Sequence, residues 1–178
     1  MFFSEAERQL GELAGRGFVV IEPNVPAFKA CAPNKQWPLE RYNAVARALQ
    51  DAGHEVVQLA YAKGKVVAGA RPIKSPNFRA GLAILSRAAL YIGPEGGLHH
   101  GAAAVGVPAV VLFGGFIPPA VTGYPGHTNL TGGAEACGML SPCAHCRAAM
   151  AAISADEVIG AALARLPLPG LEAVQVPG

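Results

Sequence analysis

Charge is scarce in this chain. Lys, Arg, Asp and Glu together make up 15% of its 178 residues, and none of them occurs from Gly96 to Ala134. The net charge is +2, with no long basic or acidic run, so composition gives no reason to expect a nucleic-acid partner. The densest basic stretch holds Lys63, Lys65, Arg71, Lys74 and Arg79, broken by Pro72 and Pro76, and reads as a solvated loop. The uncharged stretch invites a membrane span. However, Pro108, Gly114, Gly115, Pro118, Pro119 and Gly123 fall inside it, and no helix of about 20 residues survives those breaks. The opening MFFSEAERQL has neither the basic n-region nor the apolar h-region of a signal peptide. The expectation is a cytoplasmic protein without a transmembrane segment, where cysteines are metal ligands or bystanders more often than disulfides.

What is abundant is apolar: 52% of the residues. That suits strands buried on both faces, as in a parallel sheet between helices. Residues 4–14 carry an amphipathic helical pattern stopped by Gly15 and Gly17, and Phe18–Ile21 reads as a buried first strand. Pro38-Leu39-Glu40 opens a helix running to Ala52, with Val45, Leu49 and Ala52 as its inward stripe. Glu55–Leu59 reads as a second strand and 66–73 as a third. Phe78–Arg87 is helical, Ala89–Ile92 a further strand, Gly97–Val105 a helix and Ala109–Phe113 a strand. Ser154 and Glu157 form a capping box for a closing helix to Leu166. The whole predicts one Rossmann-like doubly wound α/β domain over 1–166, with 167–178 as a C-terminal tail. In the common 3-2-1-4-5 order, ligands sit beyond the carboxyl ends of strands 1 and 4. The two most unusual loops, Pro23–Trp37 and Gly93–His100, follow the runs assigned to those strands.

The first of these loops has no glycine. A dinucleotide fingerprint or a P-loop needs glycines there, so a typical Rossmann dehydrogenase and a P-loop NTPase are disfavoured. In the second, Gly96-Gly97 stands at a helix start, where free N–H groups and the helix dipole favour an anion such as a phosphate. His100, in the first turn, can add a donor. Glu95 can accept hydrogen bonds from sugar or ribose hydroxyls, or simply cap the turn.

The order of these motifs resembles glycosyltransferase family 9, the ADP-heptose:lipopolysaccharide heptosyltransferases. That family carries Asp-Ser/Thr-Gly-Pro-x-His-Leu-Ala-Ala-Ala, then Gly-x-Pro, an apolar strand and Phe-Gly. Here Glu95-Gly96-Gly97-Leu98-His99-His100-Gly101-Ala102-Ala103-Ala104 precedes Gly106-Val107-Pro108 and Val110-Val111-Leu112-Phe113-Gly114. The family's Lys-x-Trp-Pro is matched by Lys35-Gln36-Trp37-Pro38, and the resemblance covers residues 16–166. It implies one half of a GT-B fold that binds a nucleoside-diphosphate sugar, ADP-heptose in the family, for transfer to a glycan or lipopolysaccharide acceptor. Lys35 would meet the donor diphosphate, Gly96 and Gly97 would offer it backbone, and His100 would support the same site. Glu95 stands in place of the family's Asp, and Gly96 in place of a hydroxyl residue. The acceptor site and general base belong to the family's other half, so a second chain would supply them, or Glu95 or His100 would substitute. The rival reading is a non-catalytic subunit that binds nucleotide sugar or metal.

Cys143-x2-Cys146 has a chelating spacing. With Cys137 and Cys31 it predicts a structural zinc or iron site, against readings as small core residues or a redox pair. Trp37 reads equally as a plug between helix and sheet or as a base-stacking ring. His54 and His127 read as surface or turn residues.

Overall fold

The computed structural model describes residues 1–25, 30–60 and 64–167. The elements run α1 (Glu5–Ala14), β1 (Val19–Ile21), a 3-10 turn (Ala32–Lys35), α2 (Leu39–Asp51), β2 (Val56–Ala60), β3 (Arg71–Lys74) and α3 (Phe78–Leu85). They continue with β4 (Leu90–Pro94), α4 (Gly97–Ala104), β5 (Ala109–Leu112), α5 (Pro119–Thr122), β6 (Thr128–Leu130), α6 (Ala144–Ala152) and α7 (Ala155–Leu163). The six strands form one sheet in the order β3-β2-β1-β4-β5-β6, and every pairing is parallel. The order reverses between β1 and β4, which pair with Val19 opposite Leu90 and Ile21 opposite Ile92. This is the doubly wound α/β sheet expected from the sequence.

Alternation along the strands builds two separate cores. Val19, Ile21, Val56, Leu90, Ile92, Val110 and Leu112 face α2, α6 and α7, meeting Tyr42, Val45, Leu49, Met150 and Val158. Val20, Val57, Leu59, Tyr91, Ala109 and Val111 face the other way, onto Leu82, Ile84, Leu85, Leu98 and Ala102 of α3 and α4. A strand with both faces covered shows no polar alternation, and for that reason the inner strands β1, β4 and β5 are continuously apolar.

Helix starts follow local chemistry. Ser4 and Glu7 form a reciprocal capping box on α1, and Asn77 caps α3 by accepting from Ala80 N–H at 2.9 Å. Ser154 accepts from Glu157 N–H at 3.1 Å, the half of the expected box that holds the first turn of α7.

Several boundaries differ from the sequence reading. The third strand is Arg71–Lys74 rather than 66–73. Val67 instead plugs the core from a loop, its N–H donating to Gln58 Oε1 at 2.8 Å. The basic stretch is not one solvated loop either. Arg71 lies in β3 and bonds Glu55, while Arg79 lies in α3 and bonds Glu7; Lys63 is outside the described residues. The element-poor region after β5 contains α5, β6 and α6. The proposed tail beyond Pro167 falls outside the described residues.

Candidate functional site at the switch point

Lys35, Glu95, Gly96, Gly97 and His100 meet at the carboxyl ends of β1 and β4. Lys35 closes the 3-10 turn that leads into α2, and Glu95 is the first residue after β4. The Lys35 ammonium hydrogen-bonds Glu95 Oε2, with side-chain exposures of only 13% and 6%. The same ammonium sits 4.9 Å above the Phe116 ring, a cation–π contact on a largely dehydrated charge. Such a pair keeps each charge from being buried alone.

Gly96 caps α4 without any side-chain hydrogen bond, so the first-turn N–H groups of α4 are left for an incoming acceptor. A Cβ placed on Gly96 would meet nothing within 4 Å. The space over the helix start is therefore open, and the helix dipole there favours an anion.

His100 lies between two groups. Its Nδ1 is 2.9 Å from Tyr124 Oη, and its Nε2 is 3.5 Å from Glu95 Oε1. His99, one residue earlier, is fully buried, and neither ring nitrogen has a hydrogen-bond partner. Its ring packs edge-on to Phe113 at 5.6 Å and Tyr124 at 5.2 Å, and lies 4.9 Å from the His100 ring and 5.4 Å from that of His127. Burial, reinforced by the neighbouring histidines, pushes its pKa down to about 4.

Glu22 ends β1 on the same sheet edge. Its Oε1 accepts the Asn24 N–H at 2.7 Å, while the buried Oε2 has no partner. Burial raises its pKa to about 7 against the lowering effect of the Asn24 bonds. The sequence reading passed over Glu22, His99 and Tyr124. A carboxylate closing a buried strand, as Glu22 does, was the available signal; for Tyr124, nothing short of the fold brings a residue 24 positions away onto His100.

The cysteines gather at a second place. Cys137 Sγ lies 3.3 Å from Cys146 Sγ and 3.9 Å from Cys143 Sγ. Cys31, at the foot of the 3-10 turn, is not in that group. Two glycines make the approach possible. Gly114 takes a left-handed turn (φ 58°) off β5, and a Cβ on Gly115 would stand 2.8 Å from His145 Nε2. The Gly115 carbonyl accepts from Cys137 N–H at 2.9 Å and from Cys146 Sγ at 3.4 Å. Burial pushes the Cys146 thiol up to about 12, while the N–H of Cys146 lowers that of Cys143. Trp37 is a plug: it is buried, and its Nε1 donates to the Ile153 carbonyl at 3.0 Å.

The sheet and its site edge define a Rossmann-like domain of the kind that forms one half of a GT-B glycosyltransferase. The model of glycosyltransferase family 9 (heptosyltransferase) matches residues 3–149, and the chain belongs to that family. Among solved structures, the family 9 glycosyltransferase of Veillonella parvula superposes with a TM-score of 0.69 at 18% identity. The ADP-heptose lipopolysaccharide heptosyltransferase II of E. coli gives 0.63 at 21%. In both cases the match covers 92% of this chain and 52% of the other. The dodecameric iron-containing heptosyltransferase TibC, in complex with ADP-D-beta-D-heptose, gives 0.62 at 18%, covering 83% of this chain and 44% of that one. The chain thus spans about half the length of these structures. No curated protein matches the sequence. Among the described residues no helix is long and apolar enough to cross a membrane.

Proposed function

We propose that residues 1–166 form the donor-binding half of a heptosyltransferase-like glycosyltransferase, working in the cytoplasm. The donor is a nucleoside-diphosphate sugar, ADP-heptose by family resemblance, and the acceptor a glycan of the lipopolysaccharide kind. One observation carries this reading: in a family 9 chain, a nearly buried lysine and an uncapped helix start converge at the β1/β4 switch point. Lys35 supplies a charge-assisted bond to the diphosphate, the N–H groups from Gly97 onward receive its oxygens, and His100 borders the same site. Glu95 holds Lys35 in place and faces the donor's hydroxyls. Transfer to an acceptor hydroxyl needs a general base, and a partner half that carries the acceptor supplies it.

Cys137, Cys143 and Cys146 form a structural zinc or iron site within this half. Ligands of a tetrahedral thiolate site with metal–sulfur bonds of ~2.3 Å stand ~3.8 Å apart, and the Cys137–Cys146 and Cys137–Cys143 sulfur separations of 3.3 and 3.9 Å bracket that value. Cys31 is the fourth ligand proposed from sequence.

A thermal-shift series with ADP-, UDP-, GDP- and CMP-sugars tests the donor site. The expected result is stabilisation by one nucleotide class, about 2.7 kcal/mol at roughly 100 times the dissociation constant. No shift with any of them at millimolar concentration removes the donor reading.

A further inference from the structure

Lys35 is held from two sides by the segment that carries the thiols. On one side stands Asn34, its fully buried neighbour in the 3-10 turn. The Asn34 amide donates to the carbonyls of Met139 at 2.8 Å and Ser141 at 2.9 Å, and accepts the Cys143 N–H at 2.8 Å. On the other side lies Phe116, whose ring centre is 4.9 Å from the Lys35 ammonium. The Phe116 carbonyl accepts from Gly138 N–H at 2.9 Å, and the carbonyl before it, of Gly115, accepts from Cys137 N–H at 2.9 Å. Each route therefore ends at a thiol-bearing residue or its neighbour. Glu95 grips only the ammonium; the turn beneath it is placed by Asn34. The thiol segment has little else to order it. Residues 131–143 contain no helix or strand, and every residue from Glu135 to Pro142 is exposed, Met139 and Leu140 included. Apolar burial can contribute almost nothing there, whereas metal binding free energy becomes folding free energy for the segment it ties down. If that segment loosens, the buried Asn34 amide loses all three of these partners, a costly state that the turn escapes only by moving.

We propose that metal binding at Cys137, Cys143 and Cys146 fixes Lys35 in its donor-binding position through Asn34 and Phe116, so that metal and nucleoside diphosphate each strengthen the other's binding. Asn34 and Phe116 are then positioning residues, acting on the donor through Lys35. The effect is reciprocal, because a coupling free energy between two sites belongs to both of them. This coupling rests on the donor and thiol-site readings above.

The probes are Zn2+ and ADP. Titration calorimetry compares unaltered protein loaded with one equivalent of Zn2+ and freed of excess ion against the same protein stripped by chelator. Stripping should weaken ADP binding by at least about fivefold, the lower end of ordinary coupling between sites. Cys143→Ser, taken through both treatments, should bind ADP as the stripped protein does in each. Asn34→Ala should keep its Zn2+ and lose most of the difference between the loaded and stripped forms. Equal ADP affinity in the two forms of the unaltered protein overturns the coupling and leaves the donor reading standing. Absence of ADP binding in both removes the donor reading and the coupling with it. Failure to retain Zn2+ removes the thiol site and the coupling, again without touching the donor reading. A gain on loading that persists undiminished in Asn34→Ala, or in Cys143→Ser, also overturns it. If Asn34→Ala does not fold, hydrogen exchange of the unaltered protein decides. Stripping should speed exchange at 34–37 together with 137–143 and leave β1, β4 and β5 unchanged. A change confined to 137–143, or one that spreads through those strands, overturns the coupling.

Discussion

Asn34 and Cys143 are joined by a hydrogen bond in which the Cys143 N–H donates to Asn34 Oδ1 at 2.8 Å. The same buried amide uses its Nδ2 to donate to the carbonyls of Met139 at 2.8 Å and Ser141 at 2.9 Å. Asn34 is the residue before Lys35, so the loop that carries the switch-point lysine and the loop that carries the thiols are fastened together. Asn34→Ala should destabilise the protein by about 2–3 kcal/mol, at roughly 1 kcal/mol for each bond lost. Hydrogen exchange should rise first across 139–143, and unchanged exchange there would show that the two loops are independent.

Lys35 has a structural role beside its proposed ligand role. Lys35→Ala should weaken nucleoside-diphosphate binding by about 1.5–3 kcal/mol in titration calorimetry. From sequence alone such a change looks harmless to folding. With Glu95 only 6% exposed and paired to Lys35, the variant strands a buried carboxylate and should lose about 3 kcal/mol of stability. Adding Glu95→Gln should restore most of that loss in urea unfolding. A single variant as stable as the parent would refute the pair's importance.

Glu22 sets a pH dependence. Its folded pKa of about 7 lies above the ordinary value of 4.5, so the folded state holds a proton that the unfolded chain has released. The contribution to stability is complete below pH 4.5 and is lost as pH rises toward 7, by an amount on the order of 3 kcal/mol. Glu22→Gln keeps an oxygen for the Asn24 N–H and cannot ionise. It should be more stable than the parent at pH 8 and indistinguishable from it at pH 4. Equal stability at pH 8 would place a hydrated, ordinary carboxylate at that position.

Purified protein should carry about one transition-metal ion on its thiols. Cys143→Ser should release it and loosen 115–150 before the sheet, because metal binding free energy is folding free energy for the segment it ties down. Elemental analysis giving less than roughly a tenth of an equivalent, in protein never exposed to chelator, counts against the site.

The sheet was legible in the sequence because its strands are short apolar runs between turn signals, and Val19–Ile21 or Ala109–Leu112 have no competing reading. β6 was not. Thr128-Asn129-Leu130 buries only its leucine and joins the sheet because β5 is already there to receive it. α6 was hidden for another reason: Cys143 gives it no side-chain cap, and its cysteines draw the eye to metal chemistry rather than to helix. Val66-Val67 looked like strand, but Val67 is buried from a loop. At the site, Lys35, Glu95 and His100 were accessible through motif order. Glu22 and the His99–Tyr124 packing depend on which side chains the fold turns inward, which spacing along one chain does not encode.

Pro72 lies in β3, the outermost strand on its side of the sheet. A proline brings no ladder donor and is tolerated only at a sheet margin, and Arg71 and Lys74 flank this one with exposed charge. That border is thereby closed to strand addition, the commonest way in which sheets fuse or aggregate. Any chain that extends this sheet must therefore do so at the opposite margin, β6.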